Sequence, residues 1–143
     1  MILVLDTSAL WHRPLVETLI SARDGGLHER GEVRALLPAV AFAERFRQLR
    51  RDGRDVETWL RRLEDAGIAV EPFGPVEARR LPKVEERLWA RHARDYLVAA
   101  HLDEGRIAVT ADEGPHWSGV VRWHPAQAQR AVASLLPEGE GSP

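Results

Sequence analysis

A chain of 143 residues, 44% of them apolar, has the length of one domain and can bury a sizeable core. Its 20 basic and 22 acidic side chains leave a net charge of −2, which argues against a protein that coats nucleic acid by bulk electrostatics. The lack of cysteine excludes disulfides, thiolate catalysis and thiolate zinc sites, and no apolar run is long enough to cross a bilayer. The opening Met1-Ile2-Leu3-Val4-Leu5-Asp6 meets an acid too early for a signal peptide and has no basic lead-in, so the expected location is cytoplasmic, with no membrane partner. Lys83 is the only lysine. The arginines that supply the other cations suit phosphate oxygens, although codon bias in a GC-rich genome yields the same composition.

In chain order, Ile2–Leu5 reads as a first strand. Arg23–Gly31, rich in glycine and charge, reads as a loop or lid. Ala35–Leu37 is a second strand, and Pro38 suits the first turn of a helix over Ala39–Arg51 with an apolar stripe of Phe42, Phe46 and Leu49. Asp55 is placed to cap a helix over Val56–Ala66, which Gly67 closes before a third strand at Ile68–Val70. Gly74 and Pro75 open a helical stretch that Pro82 interrupts. A further helix is expected from Arg91 or Ala93 to Glu104, stopped by Gly105, and then a fourth strand at Ile107–Val109. Val120–Trp123 is a candidate fifth strand and Ala126–Leu136 a last helix. Strands alternating with helices imply a parallel sheet covered on both faces: an α/β fold of three layers, α/β/α, with four or five strands. The domain is expected to span residues 1–136, and 137–143 to form a disordered tail.

Four acids stand out against this frame. Asp6 follows the first strand directly, and ligands of open parallel sheets gather beyond the carboxyl ends of strands; a helix N-cap is its competing role. Asp112 lies just past the fourth strand, where Asp112-Glu113-Gly114-Pro115 also has strong turn chemistry. Asp95 shares a helix face with Val98, Ala99 and Leu102, an expensive place for a carboxylate unless a cation or several donors meet it; its competing role is a first-turn acid favoured by the helix dipole. Glu44 has Arg47 and Gln48 one turn on and, taken alone, reads as a surface glutamate. Converging carboxylates of this kind repel one another and are held ionised by hard divalent cations.

The motifs carrying these acids match a known family in order and spacing. Leu5-Asp6-Thr7-Ser8-Ala9-Leu10 resembles the opening motif of the PIN-domain family, and Pro38-Ala39-Val40-Ala41-Phe42-Ala43-Glu44 resembles its second-acid helix. Ala93-Arg94-Asp95-Tyr96-Leu97-Val98-Ala99-Ala100-His101 resembles the third-acid helix, and Val109-Thr110-Ala111-Asp112 the strand-end Thr-x-Asp. The resemblance implies magnesium- or manganese-dependent cleavage of RNA phosphodiesters, with Asp6, Glu44, Asp95 and Asp112 as metal ligands and Ser8 and Thr110 as hydroxyls orienting carboxylates or water. Among family members the chain is most similar to the VapC toxins of toxin–antitoxin pairs, which implies a homodimer and a small antitoxin partner. The chain departs from the family in two places. Gly114, Pro115 and His116 stand where another Asp or Asn is common, leaving Glu113 or His116 to substitute, and Trp11-His12-Arg13-Pro14 interrupts a normally smooth helix.

Of six histidines, His92 lies one turn before Asp95 and His116 four residues after Asp112. No pair has zinc-motif spacing, so solvated histidines are expected, and a histidine-rich site would shift preference toward manganese or zinc. Arg13, Arg47, Arg50, Arg51 and Arg94 are candidates for gripping RNA phosphates. Trp11, Trp117 and His116 are further substrate candidates, whereas Trp59 and Trp89 suit packing. A phosphatase of the haloacid-dehalogenase type needs a second Asp where Ser8 stands, and no glycine-rich phosphate loop follows the first strand. The alternatives that remain are a PIN-fold scaffold with weak or lost activity and an RNA-processing nuclease without an antitoxin.

Overall fold

Short runs of Leu, Ile, Val and Ala that are apolar at successive positions suit strands buried on both faces, and they pair in that way. A computed structural model of the chain describes residues 1–117 and 119–137. Its elements are β1 (Ile2–Leu5), α1 (Thr7–Leu10), α2 (Arg13–Asp24), β2 (Arg34–Pro38), α3 (Ala39–Arg51), α4 (Val56–Asp65) and β3 (Ile68–Glu71). These are followed by α5 (Pro75–Arg79), α6 (Glu86–Ala99), β4 (Arg106–Val109), a 3-10 turn at Pro115–Trp117, β5 (Arg122–Trp123) and α7 (Pro125–Ala133). The fold is α/β with three layers: one five-stranded, all-parallel sheet in the order β3-β2-β1-β4-β5, flanked by helices. Of the tail expected over residues 137–143, residues 138–143 lie outside the described residues. No described helix is long and apolar enough to cross a membrane.

Strand order fixes where a site can form. Two successive connections carry the chain from β1 outward through β2 to β3, and the next returns it to the other side of β1 as β4. With right-handed crossovers, that reversal puts the connections after β1 and before β4 on opposite faces, opening a crevice above the carboxyl ends of β1 and β4. Asp6 follows β1 and Thr110 follows β4, in register with Leu5 beside Val109. The core runs through both layers: Leu3, Leu5, Leu37 and Val109 in the sheet, Leu15 and Leu19 on α2, and Val132 on α7 are at most 1% exposed.

Several expectations need amendment. The break at Trp11–Pro14 is real: Trp11 ends α1, and His12 caps α2 through Nδ1, which accepts from the Leu15 amide at 3.3 Å. Beyond it, α2 is a full amphipathic helix with Leu15, Val16, Leu19 and Ala22 buried. Arg23 and Asp24 belong to that helix, and the loop after them is pinned by Leu27, which is buried. Asp55 caps α4, accepting from the Glu57 and Thr58 amides, and Gly67, with φ of 67°, turns the chain into β3. The helix expected from Arg91 or Ala93 begins earlier, at Glu86, and ends earlier, at Ala99. It is broken at His92 (φ −127°, ψ 20°), so its second segment does start at Ala93. Gly105 (φ 93°) sits in the turn beyond the helix rather than at its end.

Candidate active site

Asp6 caps a helix, its competing role, and also reaches across to the end of β4. As the N-cap of α1 its Oδ1 accepts from the Thr7 amide at 2.7 Å, while Oδ2 accepts from the Thr110 hydroxyl at 2.8 Å across the β1–β4 junction. Thr110 is fully buried, and its Oγ1 also accepts from the Asp112 amide at 3.0 Å. Ser8 Oγ accepts from the Ala111 amide at 3.0 Å and stands 3.4 Å from Thr110 Oγ1. Two hydroxyls therefore tie the α1 turn to the β4 end and fix one rotamer of Asp6. Burial pushes the Asp6 carboxyl above the usual aspartate range; the bonds from Thr110 and Thr7 oppose this, Asp95 adds to it by repulsion, and Arg94 eases it.

Asp95 lies in the first turn after the break in α6, where free amides and the helix dipole favour a carboxylate. His92, at the break, places Nδ1 3.4 Å from Asp95 Oδ2, and His116 Nε2 stands 3.8 Å from the same oxygen. Asp112 closes a turn, accepting from the Gly114 amide at 3.1 Å, so its turn reading also holds. Its other oxygen accepts from His116 Nε2 at 2.7 Å and Trp117 Nε1 at 3.1 Å. Burial pushes the Asp112 carboxyl upward, but the bonds from Trp117, His116 and Gly114 outweigh that and hold it below the usual range.

Glu44 is not the surface glutamate its local pattern suggested. Its side chain is 19% exposed, and it accepts from Gln48 Nε2 at 3.1 Å and from the Arg94 guanidinium. Arg94 stays protonated more firmly than usual, chiefly through that bond with Glu44, and Asp95 and Asp6 contribute by attraction. Arg94 is thus engaged with Glu44 inside the acid cluster while its side chain stays 53% exposed.

The four acids converge without closing on one point. Among the described residues no three of them bring oxygens within 4.8 Å of one another; the ligand atoms that meet this limit near them belong to His92, Asp95 and His116. The Arg94 guanidinium and the His116 ring lie among the acids, Arg94 bonded to Glu44 and His116 Nε2 between Asp112 and Asp95. The donor set, carboxylate oxygens with two imidazoles at the rim, fits magnesium or manganese, and the imidazoles shift preference from magnesium toward manganese or zinc. Asp6, whose ionisation burial and Asp95 both oppose, is the group such a cation would relieve most.

Other candidates separate clearly. Trp117 is 5% exposed and its N–H is spent on Asp112, so it offers no open face to a base. Trp11 does: it is 62% exposed, with the Arg45 guanidinium 3.5 Å from its ring centroid. Trp59 stacks on Phe42 and Trp89 on Tyr96, the packing roles expected of them. Arg13 pairs with Glu17 and Arg51 with Asp52 in exposed contacts, Arg50 lies over Phe46, and Arg47 is exposed on the same helix. Glu113 is exposed, and it is His116, 8% exposed, that stands among the acids. The expectation of solvated histidines fails for His116 and for His101, which is completely buried. Arg45 escaped the sequence reading because its role depends on Trp11, 34 positions earlier. Compared with described protein families and with curated proteins, the sequence matches none.

Proposed function

We propose that the chain is a PIN-type, metal-dependent endoribonuclease acting through Asp6, Glu44, Asp95 and Asp112. The observation that carries the reading is the placement of Asp6 and Asp112 beyond adjacent strands at the strand-order reversal, with Asp95 facing them from α6. The buried Thr110 hydroxyl locks the first of these acids in place. Asp6, Asp95 and Asp112 would hold the cation, with Glu44 and His116 completing the shell. The ion, magnesium or manganese, supplies polarisation of a phosphoryl oxygen and a more acidic bound water. The chain's own part is to set that geometry: Ser8 and Thr110 orient Asp6, Trp117 and His116 orient Asp112, and Arg94 neutralises excess negative charge next to the scissile phosphate. The toxin of a type II toxin–antitoxin pair, cytoplasmic, homodimeric and silenced by a small antitoxin, is the biological setting that the sequence motifs favour.

One observation favours a second reading. Among the described residues no three of the four carboxylates come within 4.8 Å of one another, and Glu44 and Asp112 are engaged by Arg94 and His116, as suits a PIN-fold scaffold with weak or lost activity. The two readings part on a single assay: cleavage of end-labelled structured RNA with manganese or magnesium, against EDTA and against Asp6→Asn and Asp95→Asn. Metal-dependent cleavage lost in both variants supports the nuclease. A wild type that neither cuts a broad RNA panel nor binds manganese by calorimetry supports the scaffold.

A further inference from the structure

We propose that the groove between α1, α3 and α4 is a seat for single-stranded RNA flanking the cut, in which an unpaired base stacks on Trp11 and the phosphates on either side meet Arg45, Arg54 and Arg62. This rests on the nuclease reading for the choice of RNA over other polyanions. The groove, of about 620 Å³, is lined by Trp11, Trp59, Arg13, Arg45, Arg54 and Arg62 with Thr58 and apolar neighbours, and no carboxylate lines it.

Four guanidinium groups around one groove repel one another unless an anion joins them. Among the described residues Arg45, Arg54 and Arg62 have no carboxylate within 4 Å, and the Glu17 partner of Arg13 lies 3.5 Å away with both side chains mostly in water. Burial lowers the proton affinity of Arg45, and Arg54 lowers it further, with only partial relief from Asp52. A phosphate would remove that penalty, and arginine forks match its oxygens. Trp11 adds the second half of a nucleotide. Arg45 lies over the indole at 3.5 Å from its centroid, and Trp11 is 62% exposed, so indole surface is available for a base. Stacking tracks of this type bind single strands with little regard to sequence.

Position links the groove to the acids. Asp6 caps the first end of α1 and Trp11 the last, about one helical turn away, while Glu44 and Arg45 are successive residues of α3. On α3 a groove contact thus directly follows an acid of the candidate active site, and on α1 the two stand at opposite ends of one short helix. In the proposed arrangement, a strand cut at the acids continues into this groove.

The test uses the full chain in EDTA and a fluorescein-labelled 2′-O-methyl oligouridine 12-mer, which cannot be cleaved through its 2′ oxygen, followed by anisotropy across a salt series. The double variant Arg45→Ala/Arg54→Ala should weaken binding at least tenfold and reduce the slope of log K against log salt by about 1.4, since each phosphate contact to a single strand contributes about 0.7. Trp11→Ala should weaken it about 5- to 150-fold, the range set by base–aromatic stacking of 1–3 kcal/mol. The Arg45→Lys/Arg54→Lys variant should keep the salt slope, which separates loss of charge from misfolding. Unchanged affinity and slope in the alanine variants would overturn the proposal, as would oligoglutamate binding that the oligouridine fails to displace, which would assign the groove to an acidic protein. Cleavage by a wild type whose groove variants bind normally sinks the groove alone; groove-dependent binding by a wild type that cuts nothing sinks the nuclease alone.

Discussion

At the scale of single residues, the site depends on hydroxyls more than on its acids' immediate sequence. Thr110 has no exposure, donates to Asp6 and accepts from the Asp112 amide, so it touches two of the four acids at once. Thr110→Val keeps the shape and removes both bonds. Groups that orient metal ligands typically contribute 10- to 100-fold to affinity or activity. We therefore expect Thr110→Val to lower both manganese affinity and RNA cleavage by about that factor while its circular dichroism stays native, and Thr110→Ser to restore most of the loss. Wild-type affinity and rate in the valine variant would mean that Asp6 is held by its N-cap bond to the Thr7 amide alone. The motif Val109-Thr110-Ala111-Asp112 was visible in the sequence. That Thr110 faces Asp6 was not, because it follows from the β1–β4 pairing between residues over a hundred positions apart.

At the scale of elements, strands and caps were readable wherever a local cause suffices. The apolar runs of β1, β2 and β4 become largely buried parallel strands while edge strand β3 leaves Ala69 and Val70 exposed, Asp55 presents its carboxylate to amides two and three residues on, and Gly67 adopts the left-handed turn that ends α4. The misses have tertiary causes. The α6 break at His92 coincides with rings of His116 and Tyr96 packed nearby, contacts no local pattern encodes. Arg45 and His101 take their roles from partners dozens of residues away. By contrast α2, with Leu15, Val16, Leu19 and Ala22 at helical spacing after Pro14, carried a period that reading could have found. This helix packs with α7, where Gln129 Nε2 donates to Thr18 Oγ1 at 3.1 Å. Neither helix supplies an acid to the site. Leu19→Ala opens a cavity in a fully buried position and should cost about 3 kcal/mol, measured by urea unfolding. Cleavage per folded molecule should be unchanged at a temperature where the variant remains native. A parallel fall in specific activity would show that the α2–α7 layer transmits to the acids.

At the scale of the whole molecule, the crevice needs its outer strand and return crossover held in place, and a second charge cluster does this. Glu71 ends β3, His101 follows α6, and Arg106 begins β4. Arg106 meets both Glu71 oxygens, at 2.7 and 3.1 Å, and also donates to the His101 carbonyl at 2.8 Å. His101, wholly buried, places Nδ1 2.7 Å from Glu71 Oε1. Burial raises the Glu71 carboxyl, but the bonds from Arg106 and His101 outweigh it and hold the group below the usual glutamate range. A depressed carboxylate contributes stability that is present above its unfolded pKa, about 4.3, and is lost as pH falls through the lower folded value. Glu71→Gln should therefore cost about 1–3 kcal/mol at pH 7, the range for leaving charged partners under-bonded in a part-buried place. The gap between wild type and variant should narrow steadily below about pH 4. Urea midpoints at pH 7, 5, 4 and 3 would show this directly. A gap that stays constant across the series would mean that the glutamine variant suffers from shape rather than charge, and that the β3–α6–β4 tie is held by packing around His101.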